Sequence, residues 1–169
     1  LTLAELNQLA EAEAAQIFTD CNAAVRWVGA MVAGRPFAST ESLKAKARQV
    51  WGSLTESDFL QAFEAHPMIG DVDSLRKKYA STKAIAAGEQ SGAAAADEQT
   101  LQDLARLNSE YLDKFGFIFI VFATGKSAEE MLAILKRRID NNRAAELQNA
   151  AAEQLKITLL RLDKLLQGG

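Results

Sequence analysis

Only two prolines, Pro36 and Pro67, interrupt 169 residues, and a chain with so few breakers can run in long helices wherever its side-chain pattern allows. The pattern does allow it. Leu101, Leu104, Leu107, Tyr111 and Phe115 recur every three or four positions, which lines one helical face with apolar groups. Thr2 with Glu5, and Ser127 with Glu130, have the spacing at which a hydroxyl and a carboxylate each bond the other's exposed backbone amide at a helix start. Aromatic residues make up only 7% of the chain, while Ala and Leu dominate. An all-α fold follows, and 169 residues of which 49% are hydrophobic suit one core. The expectation is a single-domain helical bundle of about eight helices spanning residues 1–169.

Local signals place the elements. Ala24, Val25, Val28 and Val32 have helical spacing, so one helix of about four turns is expected from Asp20 to Ala33, stopped by Gly34-Arg35-Pro36. Ser39 or Thr40 should cap a helix to about Ser53, and Ser57 a short one through Phe59, Leu60 and Phe63. His66-Pro67 ends it, because the residue before proline is driven out of helical geometry. A short helix is expected over Asp73–Tyr79, little order over Ser81–Ala95, and a long helix from Asp97 to the stop at Gly116. Phe117 to Ala123 reads Phe-Ile-Phe-Ile-Val-Phe-Ala. That is strand-like by propensity, but with no second strand to pair it is expected to be a buried extended segment or a helix start. Helices from Ala128 to Ile139 and from about Arg143 to Leu166 complete the chain.

The net charge of -3 offers no cationic field for a phosphate backbone or an anionic bilayer, so neither nucleic acid nor membrane is an expected partner. The longest apolar run, Phe115 to Ala123, is far short of the roughly 20 residues that cross a bilayer. No basic-then-apolar leader opens the sequence, and a soluble cytoplasmic protein is the simplest expectation. Cys21 and His66 are the sole residues of their kinds, so a disulfide within the chain and a His/Cys zinc cluster are both excluded. Gly125-Lys126-Ser127 lacks the earlier glycine of a phosphate-binding loop, since position 120 is Ile120.

What remains for chemistry is a short set of residues. His66 is the one side chain whose ordinary pKa suits proton transfer near neutrality. A lone histidine at a helix end is equally a candidate cap or core residue, and its own pattern leaves both readings open. Glu89-Gln90, before Ser91-Gly92, is either a solvated loop or a set of polar contacts for a small ring. Arg161 lies at the edge of the apolar stripe Leu155, Leu159, Leu162 and Leu166. It either reaches out to water or presents a guanidinium to a carboxylate or ring carbonyl. Lys136-Arg137-Arg138 reads as a cationic helix end favoured by the helix dipole. Cys21, Trp27 and Trp51 read as core.

Several segments, in order and spacing, carry a resemblance: Arg26-Trp27 with Arg35-Pro36-Phe37; Phe63-Glu64-Ala65-His66-Pro67 with Ile69-Gly70; Glu89-Gln90; Asn108, Tyr111 and Lys114-Phe115-Gly116-Phe117 with Phe119-Ile120-Val121; Arg138 with Asn141; Glu146-Leu147; and Lys156-Ile157 with Arg161-Leu162. Together they resemble the 2-oxo-4-hydroxy-4-carboxy-5-ureidoimidazoline (OHCU) decarboxylase family over nearly the whole chain. The resemblance implies an all-α carboxy-lyase that works without a cofactor or metal, forming (S)-allantoin in the last step of urate breakdown.

It also implies the site. His66 would be the catalytic histidine, with Pro67 fixing the turn behind it. Glu89 and Gln90 would be polar substrate contacts and Arg161 the contact to an anion or carbonyl. Phe119, Ile120, Val121, Phe122 and Ala123 would supply backbone hydrogen bonds and an apolar wall. The family pattern commonly has Ser where this chain has Ala86, so Ala86 would line the site without a hydroxyl, and either Ser91 compensates or that hydrogen bond is absent. The partner implied is a small-molecule substrate, and the resemblance alone raises a homodimer. The competing readings are a non-enzymatic helical binding module, and a lyase acting on a related ureido or imidazoline compound.

Overall fold

The computed structural model describes residues 1–68, 71–85 and 91–167. Its backbone falls into two compact units, Leu1–His66 with Asn149–Gly169, and Pro67–Gln148. Nine helices and no strand occur among the described residues, one helix more than the sequence suggested.

The first unit contains α1 (Leu3–Gln8), α2 (Glu11–Cys21), α3 (Val25–Ala33), α4 (Thr40–Gly52), α5 (Glu56–Glu64) and the later turns of α9 (Arg143–Gln167). Thr2 and Glu5 cap α1 reciprocally, as their spacing predicts. The single helix expected over Asp20–Ala33 is instead two. Asn22 closes α2, and its side-chain Oδ1 accepts the amide of Ala24 at 3.0 Å, a local bond that competes with the helical ladder and turns the chain. α3 then stops at Gly34 as expected. The Arg35 guanidinium takes over carbonyls that the helix ends leave without partners, those of Leu6 at 2.9 Å, Leu9 at 2.8 Å and Val32 at 3.2 Å. Ser39 caps α4. α5 begins after Thr55 rather than at Ser57, because the Asp58 carboxylate accepts both the amide and the hydroxyl of Thr55 at 3.0 Å.

The core of this unit is aromatic and aliphatic, with Leu6, Phe18, Trp27, Met31, Leu43, Trp51, Phe63 and Leu162 all buried. Phe18 meets Trp27 edge to face at 6.0 Å. The two indoles satisfy their N–H groups on helix carbonyls, Trp27 on Ala47 at 3.2 Å and Trp51 on Ala151 at 2.9 Å. Both tryptophans are therefore packing residues, and a buried indole with its donor satisfied carries no desolvation penalty there.

The second unit contains α6 (Val72–Ile85), α7 (Ser91–Phe115), α8 (Ala128–Arg138) and the first turns of α9. α6 is longer than the predicted Asp73–Tyr79, and α7 starts six residues before the predicted Asp97. The Asp71 carboxylate accepts the amide of Ser74 at 2.7 Å, which holds the start of α6. α7 packs on α6 and α8 and buries Leu101, Leu104, Leu107, Tyr111 and Phe115, the stripe read from the sequence. Gly116 ends it with φ +81°, a left-handed conformation that glycine adopts without a Cβ clash.

Candidate active site

His66 follows the last turn of α5. Its amide donates to Phe63 at 3.1 Å, and Pro67 then forbids a further helical turn. The ring is half-buried. Its Nε2 lies 2.6 Å from Oε1 of Gln154 on α9. Gln154 is fully buried and its amide nitrogen donates to Thr158 Oγ1 at 3.3 Å. The Thr158 hydroxyl also accepts from Asn22 Nδ2 at 3.1 Å and itself donates to the Gln154 carbonyl at 2.9 Å. The histidine thus stands at the end of a buried chain of neutral polar groups that begins at the Asn22 turn.

Burial pushes the His66 imidazolium below the usual histidine range. The Gln154 acceptor opposes that shift, and the Arg161 charge adds to it. At neutral pH the ring is therefore neutral, with one nitrogen able to take a proton. Arg161 is half-buried on α9, two turns beyond Gln154, and donates to the Cys21 carbonyl at 3.3 Å. It is neither a purely solvated surface group nor fully enclosed. Burial pushes the Cys21 thiol up to about 11, which keeps it protonated and in the core as its sequence context predicts.

The sequence placed the main apolar stripe of α9 on Leu155, Leu159, Leu162 and Leu166. Of these only Leu162 is fully buried. The buried line is Glu146, Ala150, Gln154, Thr158 and Leu162, an i, i+4 series in which three members are polar. Sequence reading passed over Asn22, Gln154 and Thr158 because polar residues default to the surface. For Gln154 and Thr158 the signal that could have found them is the strict four-residue spacing continuing through Ala150 to Leu162; no such spacing marks Asn22.

Phe119 to Ala123 belong to the second unit. They are neither helix nor strand; Ile120 is buried and the other four are half-buried. Arg138 is what holds the segment. Its Nη1 donates to the Ile120 carbonyl at 2.6 Å, and its guanidinium lies 4.7 Å from the Phe119 ring centroid. The same guanidinium bonds Glu146 at 2.9 Å, and the Glu146 carboxylate also accepts from Asn141 at 3.0 Å and from the Tyr111 hydroxyl. Arg138 stands in the last turn of α8 with Lys136 and Arg137, as the sequence suggests, and is in addition a buried structural ion.

The structure brings His66 together with Gln154 and within the field of Arg161, all in the first unit. Pro67 and Met68 are exposed. Ala86, Glu89 and Gln90, with Ile69 and Gly70, lie outside the described residues. Among the described residues no three His, Cys, Asp or Glu side chains converge to hold a metal ion, and no helix is long and apolar enough to cross a membrane.

Comparison with known proteins gives the family. The family model for OHCU decarboxylase matches residues 7–163. The uric acid degradation bifunctional protein of Arabidopsis thaliana is 40% identical over 131 residues, covering 77% of this chain and 40% of the relative. The 2-oxo-4-hydroxy-4-carboxy-5-ureidoimidazoline decarboxylase of Amia calva is 29% identical over 168 residues, covering 99% of this chain and 95% of the relative. A crystal structure of OHCU decarboxylase in the presence of (S)-allantoin superimposes with a TM-score of 0.70 at 35% identity, covering 88% of this chain and 96% of that one. The chain spans only 33% to 40% of the length of the bifunctional relatives it matches. A match running from Asn7 to Asp163, through both units and through His66, Arg138, Glu146 and Arg161, places this chain in the OHCU decarboxylase family.

Proposed function

We propose that the chain decarboxylates 2-oxo-4-hydroxy-4-carboxy-5-ureidoimidazoline to (S)-allantoin, with residues 1–169 acting as one functional domain. The observation that carries the reading is the half-buried, neutral His66, held by Gln154 within the field of Arg161, on a chain whose relatives include a named OHCU decarboxylase and one crystallised in the presence of (S)-allantoin.

The substrate is its own electron sink. When the bond from ring carbon 4 to the carboxylate breaks, its electron pair passes into the bond to carbon 5 and on to the adjacent imine nitrogen. Carbon dioxide leaves and the former imine nitrogen takes up a proton from solvent; the hydroxyl on carbon 4 then gives up its proton to become a carbonyl as carbon 5 gains one. The reaction therefore needs no external electron acceptor. The protein's part is orientation, charge placement and protonation from one face.

In this reading His66 takes the hydroxyl proton, and Pro67 keeps the turn that presents it. Arg161 holds the carboxylate or a ring oxygen. Glu89 and Gln90 bind the ureido arm beside Ala86. Phe119, Ile120, Val121, Phe122 and Ala123 contribute backbone bonds and an apolar surface that disfavours a localised carboxylate charge relative to the dispersed transition state. A cytoplasmic location and a homodimeric assembly belong to the same reading, tested by fractionation and by sedimentation. Ala86, in place of the family's Ser, favours a second reading in which a related ureido compound is the better substrate. Competition with allantoin analogues separates the two.

The deciding experiment adds the protein to freshly oxidised urate and follows allantoin by circular dichroism. The native chain should give one enantiomer faster than the spontaneous decay. His66→Asn should lower kcat/KM by about 100- to 10,000-fold, the range of a general acid or base, with its helical dichroism intact. Equal rates for the two proteins would sink the assignment.

A further inference from the structure

Each bond of the chain leading to His66 has a defined direction, because both of its ends are fixed by backbone groups whose roles are never in doubt. The Ala24 amide can only donate, so the atom of Asn22 facing it at 3.0 Å is the carbonyl oxygen. The other side-chain atom of Asn22 is then NH2, and it donates to Thr158 Oγ1 at 3.1 Å. The Gln154 backbone carbonyl can only accept, so the single hydroxyl proton of Thr158 points there, at 2.9 Å. With its proton committed, Thr158 Oγ1 can only accept from the Gln154 side chain, and the atom facing it at 3.3 Å is the Gln154 NH2. That leaves Gln154 Oε1, a pure acceptor, 2.6 Å from His66 Nε2.

Building on the functional reading above, we infer that Gln154 is a positioning residue: through the Asn22–Thr158–Gln154 chain it holds neutral His66 with its proton on Nε2, leaving Nδ1 as the nitrogen that receives the substrate's proton. The other ring nitrogen of a histidine is set by the bond the first one makes. Here the first is bound to a group that cannot turn over. A flipped Gln154 would point NH2 at an imidazole nitrogen while setting its oxygen against a Thr158 oxygen with no proton to give. Among the described residues Nδ1 has no hydrogen-bond partner. The Gln154 oxygen also suits the next state of the cycle, because an imidazolium carries N–H on both nitrogens. The bond to Gln154 persists unchanged while Nδ1 gains and releases its proton, so the ring need not reorient.

The chain has one histidine, so ring nitrogen-15 spectra of histidine-labelled, substrate-free protein report His66 alone. The native protein at mildly alkaline pH should show a single tautomer, with the proton on Nε2 and directly visible because the hydrogen bond slows its exchange with water. Gln154→Leu should lose that visible proton, average the two nitrogens and lower the ring's titration midpoint. Gln154→Glu should keep the proton on Nε2 and raise the midpoint, since a carboxylate favours the imidazolium. In turnover, Gln154→Leu should lower kcat by about 10- to 100-fold with KM little changed, as when a group orienting a histidine is removed. Gln154→Glu should recover part of the loss and move the acidic limb of the pH profile upward.

A native ring protonated on Nδ1, or an Nε2 proton equally visible and protected in Gln154→Leu, overturns the inference. Neither spectrum depends on turnover. An Nε2-protonated ring in a protein that does not accelerate decarboxylation would support the positioning and sink the functional reading. The reverse pairing would do the opposite.

Discussion

The protein buries polar side chains in both of its units, and it does so with opposite chemistry. In the unit of Pro67–Gln148 they are charged: buried Arg138 and Glu146, with Tyr111 and the half-buried Asn141, hold the Phe119–Ile120 backbone. In the other unit, apart from the Asp58 carboxylate at the start of α5, they are neutral: Asn22, Thr158 and Gln154 lead to one histidine. The same helix, α9, supplies both, through Glu146 and, two and three turns on, Gln154 and Thr158. A charged pair binds strongly and tolerates some freedom in geometry, which suits clamping a segment that has no sheet to pair with. A chain of amides and a hydroxyl is weaker but directional, since each group's donor and acceptor are distinct atoms, which suits fixing where a proton sits.

The largest effect should come from breaking the charged side. Glu146→Gln keeps the volume and part of the hydrogen bonding but leaves the Arg138 guanidinium, itself buried, without its counter-charge. Removing one partner of a buried pair costs about 3 to 5 kcal/mol, read as a lower urea midpoint with unchanged slope. The His66 spectrum should not move, because no member of the Asn22–Thr158–Gln154 chain is altered. A cost below that of the neutral-side variant described next would show that the ion pair is not the stronger of the two devices.

Thr158→Val is the matching cut on the neutral side. Valine fits the space of threonine but has no hydroxyl, so the Asn22 and Gln154 NH2 groups both lose their acceptor in a buried site. The expected cost is about 1 to 3 kcal/mol, that of buried donors left unsatisfied. With its direction no longer imposed, Gln154 should let His66 sample both tautomers. Thr158→Ser, which keeps the hydroxyl, should restore the single tautomer and most of the stability. If valine costs nothing and the spectrum holds, the directional chain does not operate as argued.

The sequence reads well where structure is local and poorly where it rests on distant partners. Capping at Thr2, Ser39 and Ser127, the stop at Gly116 and the extent of α9 all depend on neighbours within four residues, and all are legible. The split of the predicted Asp20–Ala33 helix is not, because the Asn22 turn is completed by Thr158, 136 positions away. Gln154 and Thr158 look like surface residues until their partners are known, and the helix-end position of Arg138, read correctly, does not reveal its bond to Glu146. For the candidate site, His66 stands out as the sole histidine, and the exposure of Arg161 is intermediate between its two readings. Ala86, Glu89 and Gln90 lie outside the described residues, so their part rests on the family pattern.

The smallest effect concerns pH, and it separates the two regions by the slope of stability near pH 6.5. The unfolded chain takes up a proton on histidine near the ordinary value of 6.5, whereas burial and, more weakly, the Arg161 charge delay that uptake in the folded state against the pull of Gln154. Over that window the unfolded state binds more protons than the folded one, so stability must rise with pH and fall as pH drops through 6.5. The Cys21 thiol, which burial keeps protonated, stays constant across it. Because the ring is only half-buried, water screens part of the effect and it should be smaller than either substitution above. His66→Asn should remove this slope, and Gln154→Leu should steepen it, since the acceptor that favours the imidazolium is gone. Glu146→Gln should lower the whole stability curve and leave its slope near 6.5 unchanged. Urea midpoints measured on either side of that pH decide the matter: a slope that survives in His66→Asn would assign it to carboxylates, and the histidine would then contribute only to the site and not to the acid sensitivity of the fold.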